Sequence, residues 1–391
     1  MRAGLFGCLA VSLALTVFTA CSSDSSESNA PSSTRAEELT PGTIVTIAGT
    51  GDVGGEGGLM TPVDLAFDSA GDLYIAERYH RVVKVDAGGT MTIFAGGDEE
   101  GFSGDGGPAT EAELNSASAV AVDDDDNVYI ADTLNNRIRM VDSNGIITTV
   151  AGIGEPEYSG DGGPASEAAM AFPGALAFDA EGNLYVLDMG NNRIRRIDQE
   201  GTITTVLGAK GEGFTRDGTP AERAKLGNFH VPGQGAAHIP GGLAFDAEGN
   251  LLFTDLGNAR VRMIDGRGRV RTVAGNGDQL PSGDGGPGPE AGLNGPLDVA
   301  VDDSGSVFVA THDHGNGACG GPCTGQRIRV VAPDGVITTL AGTGETGYEG
   351  DDGPATEAEF NIPAAVVIGP DGNLYVADAS NHVIRMIVLR G

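Results

Sequence analysis

One segment recurs six times along the chain, and no other feature limits the fold as tightly. Leu-Tyr-Ile-Ala-Glu at 73–77 returns in related form at 128–132, 184–188, 251–255, 307–311 and 374–378. The ends of these segments lie 55, 56, 67, 56 and 67 residues apart. A second segment precedes each and advances by the same intervals: Leu65 to Asp68, Val120 to Asp123, Leu176 to Asp179, Leu243 to Asp246, Val299 to Asp302 and Val366 to Gly369. Two parallel series with one set of intervals describe a true repeat, and the two intervals longer by 11 residues mark insertions.

Each repeat reads as four short strands. In the second copy these are Ala119 to Asp123 (strand A), Val128 to Asp132 (B), Ile138 to Asp142 (C) and Ile146 to Ala151 (D). Each is rich in Val, Ile, Thr and Tyr and bounded by Gly, Asn or Asp turn chemistry. The A–B turns Ala180-Glu181-Gly182-Asn183 and Ala247-Glu248-Gly249-Asn250 supply residues that accept positive φ. No helical period appears, so the pattern predicts an all-β fold, a β-propeller of four-stranded antiparallel blades. The sixth repeat stops after strand C at Ile384 to Val388. Its missing strand D matches Thr43 to Gly49, a close copy of Ile147 to Gly152 and Ile337 to Gly342. The sequence therefore predicts six blades, the last closed by the N-terminal strand, which removes the exposed sheet edges of an open array.

Asp132 to Arg139 has the form Asp-x-x-Asn-Asn-Arg-Ile-Arg, which recurs at Asp188 to Arg195 and, with variation, at 255–262 and from Asp378 to His382. With Val-Ala-Val-Asp and Val-Tyr-Ile-Ala-Asp, this pattern resembles NHL repeats. The Gly-Asp-Gly-Gly-Pro-Ala block between blades is similar to that of bacterial NHL proteins and the teneurin NHL propeller. The resemblance covers roughly residues 42–391. It implies the propeller fold and a binding role, without naming a ligand.

The N-terminus is read separately. Arg2 and the apolar run Leu5 to Phe18 make residues 1–20 a signal peptide, too short to span a bilayer. Phe18-Thr19-Ala20-Cys21 resembles the lipobox of bacterial lipoproteins, which implies lipid attachment at Cys21. The Ser-rich stretch that follows suits a tether over 21–41, leaving 42–391 as the propeller. The expected location is extracytoplasmic, lipid-anchored to the cell envelope or otherwise secreted, with the membrane met only through the N-terminal lipid. A net charge of −32, from 23 basic against 55 acidic residues, argues against nucleic acid as a partner.

Two glycine motifs, at 49–54 and 342–347, match G-x-G-x-x-G but open no helix in a βαβ unit, so no dinucleotide cofactor follows. The five interblade aspartates Asp105, Asp161, Asp217, Asp284 and Asp351 could form a ring of calcium ligands. They lack the alternating spacing of a calcium loop, and an Asx-type turn followed by a short helical turn is the preferred reading. Ten arginines fall at equivalent strand-C positions: Arg81, Arg137, Arg139, Arg193, Arg195, Arg260, Arg262, Arg327, Arg329 and Arg385. A ladder of pairs with the aspartates ending strand B is preferred over a ring that receives an anionic ligand.

Two function classes remain. One is a binding propeller that recognises a protein, glycan or small-molecule ligand. The other is a metal-assisted lyase or lactone hydrolase, for which no spaced set of His and carboxylates is visible around the channel. In a four-stranded meander the B–C loops and D–A connections emerge on one face, and both insertions fall there. All six histidines map there too, so the ligand-face candidates are His80, Phe229, His230, His238, His312, Asp313, His314 and His382. Cys319 and Cys323 lie within the second insertion in Cys-Gly-Gly-Pro-Cys, a turn that permits a disulfide in an exported protein. The rival reading joins them with His312 and His314 in a zinc-type site. No catalytic residue is assigned.

Overall fold

The computed structural model describes residues 39–54, 57–228, 241–312 and 325–390. Six antiparallel sheets follow one another around a ring. Blade two is typical: strands Ala117–Val122, Val128–Asp132, Arg137–Val141 and Ile147–Ala151 pair in chain order. Strand C begins at Arg137, one residue earlier than expected, because the register places Arg137 opposite Asp132 across the short B–C turn. Blade four has the shortest strand A, Leu243–Phe245, directly after the first insertion.

Ring closure follows the sequence reading. Thr43–Ala48 pairs with Val383–Ile387, with Ile44 opposite Ile387 and Thr46 opposite Arg385. The N-terminal strand thus supplies the outer strand D of blade six.

Strand D would be an exposed edge in every blade, and the interblade block covers it in five of them. Gly286–Pro287 and Gly353–Pro354 add a short fifth strand outside strand D of blades five and six. In blades two to four Pro108, Pro164 and Pro220 each make a single bridge in the same place. Proline suits this position, since its missing N–H faces away from the ladder. One 3-10 turn then returns the chain inward, as at Ala109–Glu111. The core lies between blades: Ile44, Phe308, Ile328, Phe360, Val376 and Ile387 pack together at the junction of blades five and six.

Candidate functional site

The loop face is built on buried charge. Strand B ends in Asp132, and a 3-10 turn over Thr133–Asn135 leads to Asn136 in the left-handed region. Asp132 accepts the Asn115 backbone N–H at 2.7 Å and two bonds from Asn135 Nδ2, which also reaches the Gly101 carbonyl at 2.6 Å. Arg139 on strand C is fully buried, with Nη1 at 3.4 Å from Asp132 and Nη2 at 2.8 Å from Asp105 of the interblade loop. The arrangement returns as Arg195 between Asp188 and Asp161, Arg262 between Asp255 and Asp217, and Arg385 between Asp378 and Asp351. Burial pushes Asp132 and Asp188 up to about 6 and Asp378 to about 7, even though backbone N–H donors, the Asn amide and the arginine all pull the other way.

The Asp–Arg ladder expected from the repeats is therefore present. The interblade aspartates need a correction. They are not simple Asx turns, but second carboxylates on the buried arginines. Asp217 and Asp284 also accept from the backbone N–H and hydroxyl of Thr272 and Thr339 on strand D. Two blades depart from the pattern. In blade five Thr311 stands where strand B otherwise ends in a carboxylate, leaving Arg329 with Asp284. Blade one has Val83 at the arginine position, and its Glu77 pairs with Arg81 instead.

The remaining strand-C arginines lie nearer solvent and bond to backbone carbonyls, as Arg137 does to Gly152 and Ile153. Half-exposed aromatic rings cover three of them: Phe102 over Arg137 at 4.2 Å, Tyr158 over Arg193 at 3.8 Å and Phe214 over Arg260 at 4.3 Å. Both sets of arginines are thus engaged within the protein, which fits scaffold better than an open anion site.

Of the described histidines, His382 sits at a seam between blades. His382 Nδ1 accepts the Thr61 backbone N–H at 3.2 Å, across the junction where the ring closes. Asn136 Oδ1 does the same for Phe172 and Gln326 Oε1 for Ile362, both at 3.0 Å. All three donors hold positive φ, at 54°, 52° and 61°, immediately before strand A. The cross-blade bond offsets strain that Thr, Phe and Ile do not tolerate readily. His382→Ala should accordingly cost about 1 kcal/mol in a denaturant melt. His382→Asn should stay near wild type, since Asn136 already performs this role. Equal losses in both variants would show that the ring packing of His382, and not its acceptor, matters.

His312 is buried with Nδ1 2.9 Å from Gln326 Nε2 at the root of the second insertion. His80 is half-buried beside Tyr79 in the B–C turn of blade one. Phe229, His230, His238, Asp313, His314, Cys319 and Cys323 lie outside the described residues, as does Cys21. Among the described residues no three His, Cys, Asp or Glu side chains group as metal ligands.

On the opposite face the A–B turns are rigid repeats. Asp123, Asp179 and Asp246 each accept backbone N–H groups two and four residues on. Asn127, Asn183 and Asn250 donate back to them. Asp124 and Asp125 border a cleft of about 560 Å³ between blades two and three.

The six A strands line the central channel, a space of about 390 Å³. Phe67, Val122, Phe178, Phe245, Val301 and Ile368 contribute the last position of each strand. Two carboxyls, Asp64 and Asp298, also face it. The sequence reading missed them, having found no carboxylates converging there. The signal was present: the equivalent strand-A position is Ala119, Ala175, Gly242 and Ala365 in the other four blades.

The Teneurin NHL domain family matches residues 97–158 and 153–223, and the NHL repeat family matches 360–385. Teneurin-3 of Danio rerio is 29% identical over 357 residues, covering 84% of this chain and 12% of its own length. Teneurin-4 of Homo sapiens is 28% identical over 359 residues, with the same two coverages. The chain thus spans about an eighth of the length of these relatives. Among solved structures, a Bacteroides thetaiotaomicron protein of unknown function superposes with a TM-score of 0.61 at 20% identity, covering 88% of this chain and 74% of that one. An auxiliary nutrient binding protein from the same organism gives 0.60 at 16%, with 88% and 75% covered. At these identities the structures speak to the fold. Asp-x-x-Asn-Asn-Arg turns in blades two and three, with variants in blades four and six, on a ring of six four-stranded blades closed by the N-terminal strand and matched in part by these families, make the chain an NHL-repeat β-propeller.

Proposed function

We propose that the protein is a binding module, held outside the cytoplasm by lipid on Cys21, that recognises a protein, glycan or small ligand through its B–C and interblade loop face. The observation that carries this reading is the contrast between the two faces. The A–B turns stay short throughout, and in blades two to four the Asp–Asn bonds described above fix them. The described residues that flank both 11-residue expansions, Asn228 and Gly241 in one and His312 and Gly325 in the other, instead belong to interblade and B–C connections of neighbouring blades. Binding residues concentrate on loops set on a rigid scaffold, and the clamped arginines beneath this face supply the rigidity. The auxiliary nutrient binding protein that shares the fold is in keeping with a binding role.

Trimming 229–239 and shortening 312–325 should abolish capture of the partner that the intact propeller retains from envelope extract. The melting curve should stay nearly unchanged. If Asp124→Asn and Asp125→Asn on the opposite face removed capture while the trimmed loops kept it, the binding face would be the other one.

A further inference from the structure

We propose that Asp64 and Asp298 share a proton within the central channel and so make the tightness of the ring depend on pH. Asp64 Oδ2 accepts the Val120 N–H of blade two at 2.8 Å, and Asp298 Oδ2 accepts the Val366 N–H of blade six at 2.8 Å. Each carboxyl therefore fastens its blade to the next one. Asp298 also reaches back over blade four, where a Cβ on Gly242 would collide with its Oδ1. The glycine at 242 and the aspartate at 298 fit each other.

The electrostatic setting decides the protonation. The described residues that line the channel beside the two carboxyls are Leu, Ala, Val, Phe, Ile and Gly, with no Lys, Arg or His among them. No cation faces the pair from any of the six A strands. Burial pushes both carboxyls upward, and the charge on Asp298 pushes Asp64 further. Two carboxylates that face one channel lined otherwise by apolar side chains cannot both ionise cheaply, so one proton stays on the pair near neutral pH.

The sign of the linkage follows. An unfolded aspartate titrates near ~3.9, whereas burial raises Asp298 to about 7 in the folded protein. Between those values the folded state holds more protons than the unfolded state. The stability contributed by the pair is complete below the unfolded value, begins to be lost as pH rises through 7, where Asp298 ionises, and is lost further as the proton leaves Asp64. Above that, repulsion loosens the seams between blades one and two and between blades five and six.

Asp132, Asp188 and Asp378 run in the same direction, so the test compares variants with wild type. Asp64→Asn and Asp298→Asn each keep an acceptor for the cross-blade N–H while removing one charge. At pH 8.5 either should raise Tm by about 2 °C or more, and the gain should vanish by pH 5. The double variant should gain less than the sum of the two single variants, because either replacement already ends the repulsion while burial still penalises the carboxylate that remains. Carboxyl-carbon NMR on wild type, assigned with these variants, should show Asp64 and Asp298 titrating together in the neutral range, with the midpoint of each falling when the other is Asn. Additive gains, a gain independent of pH, or two independent midpoints near the ordinary aspartate value would overturn the pairing.

Discussion

Deleting residues 43–48 should collapse the thermal stability of the whole ring, far beyond the share of the core those six residues represent. Ile44 and Val45 are almost fully buried, and losing both forfeits about 3–6 kcal/mol of apolar burial. The ladder to Val383–Ile387 is lost as well, and with it the interblade bond from Asp352 N–H to the Ile44 carbonyl. Domains of this kind hold only about 5–15 kcal/mol in total. The deletion also uncovers the Val383–Ile387 edge, which invites pairing between chains. The expected result is a melting transition lowered by more than 10 °C or lost, with soluble aggregates on size exclusion. A synthetic peptide spanning 41–50, added in trans, should recover part of the transition. A truncated protein that melts like wild type would show that blade six is stable with three strands.

The fold was legible because the repeat carries it redundantly: six copies of strand B fix the blade count, and the orphaned Thr43–Ala48 has one vacancy to fill. The Asp–Arg pairing between strands B and C was legible for a similar reason, since a short antiparallel turn must bring Asp132 and Arg137 opposite each other and Arg139 close by. The interblade carboxylates were not read correctly, because nothing local shows that the loop runs outward to the strand-D edge before returning. A signal did exist at longer range. Each interblade Asp lies 34 residues before its arginine in blades two, three and six, and 45 before it in blades four and five, where the insertion adds 11. Blade one, which has Val83 at the arginine position, has no Gly-Asp-Gly-Gly-Pro block before it. The channel pair was lost in the opposite way: a repeat invites averaging, and Asp64 and Asp298 are departures from the average. The histidines on the loop face were legible as positions but not as roles. His382 stands where Asn136 stands in blade two and makes the same cross-blade bond.

The second large effect is expected at the buried arginines. Arg195→Met should destabilise the protein by about 3–5 kcal/mol at neutral pH, because it leaves Asp188 buried without its cation. The loss extends beyond that pair. Arg195 Nη2 also holds Asp161 at 2.8 Å and the Ser159 carbonyl at 3.0 Å, so the interblade loop that covers strand D of blade three loses its inner anchor. The effect depends on pH, and its sign is fixed. Asp188, already raised to about 6 with the arginine present, rises further without it and takes up a proton more readily. The variant should therefore lose most stability at pH 8 and approach wild type as pH falls toward 5. Adding Asp188→Asn to Arg195→Met removes the buried charge while keeping an acceptor for the Ala171 N–H, which Asp188 now binds at 2.7 Å. The double variant should recover a large part of the loss at pH 8, and little at pH 5. Arg193→Met, two residues away on the same strand, leaves no carboxylate unpaired and should cost about 1 kcal/mol or less. Denaturant melts of the four proteins at the two pH values separate the contributions. Similar losses for Arg195→Met at pH 5 and pH 8 would mean that the arginine stabilises through packing, with the buried carboxylate a bystander.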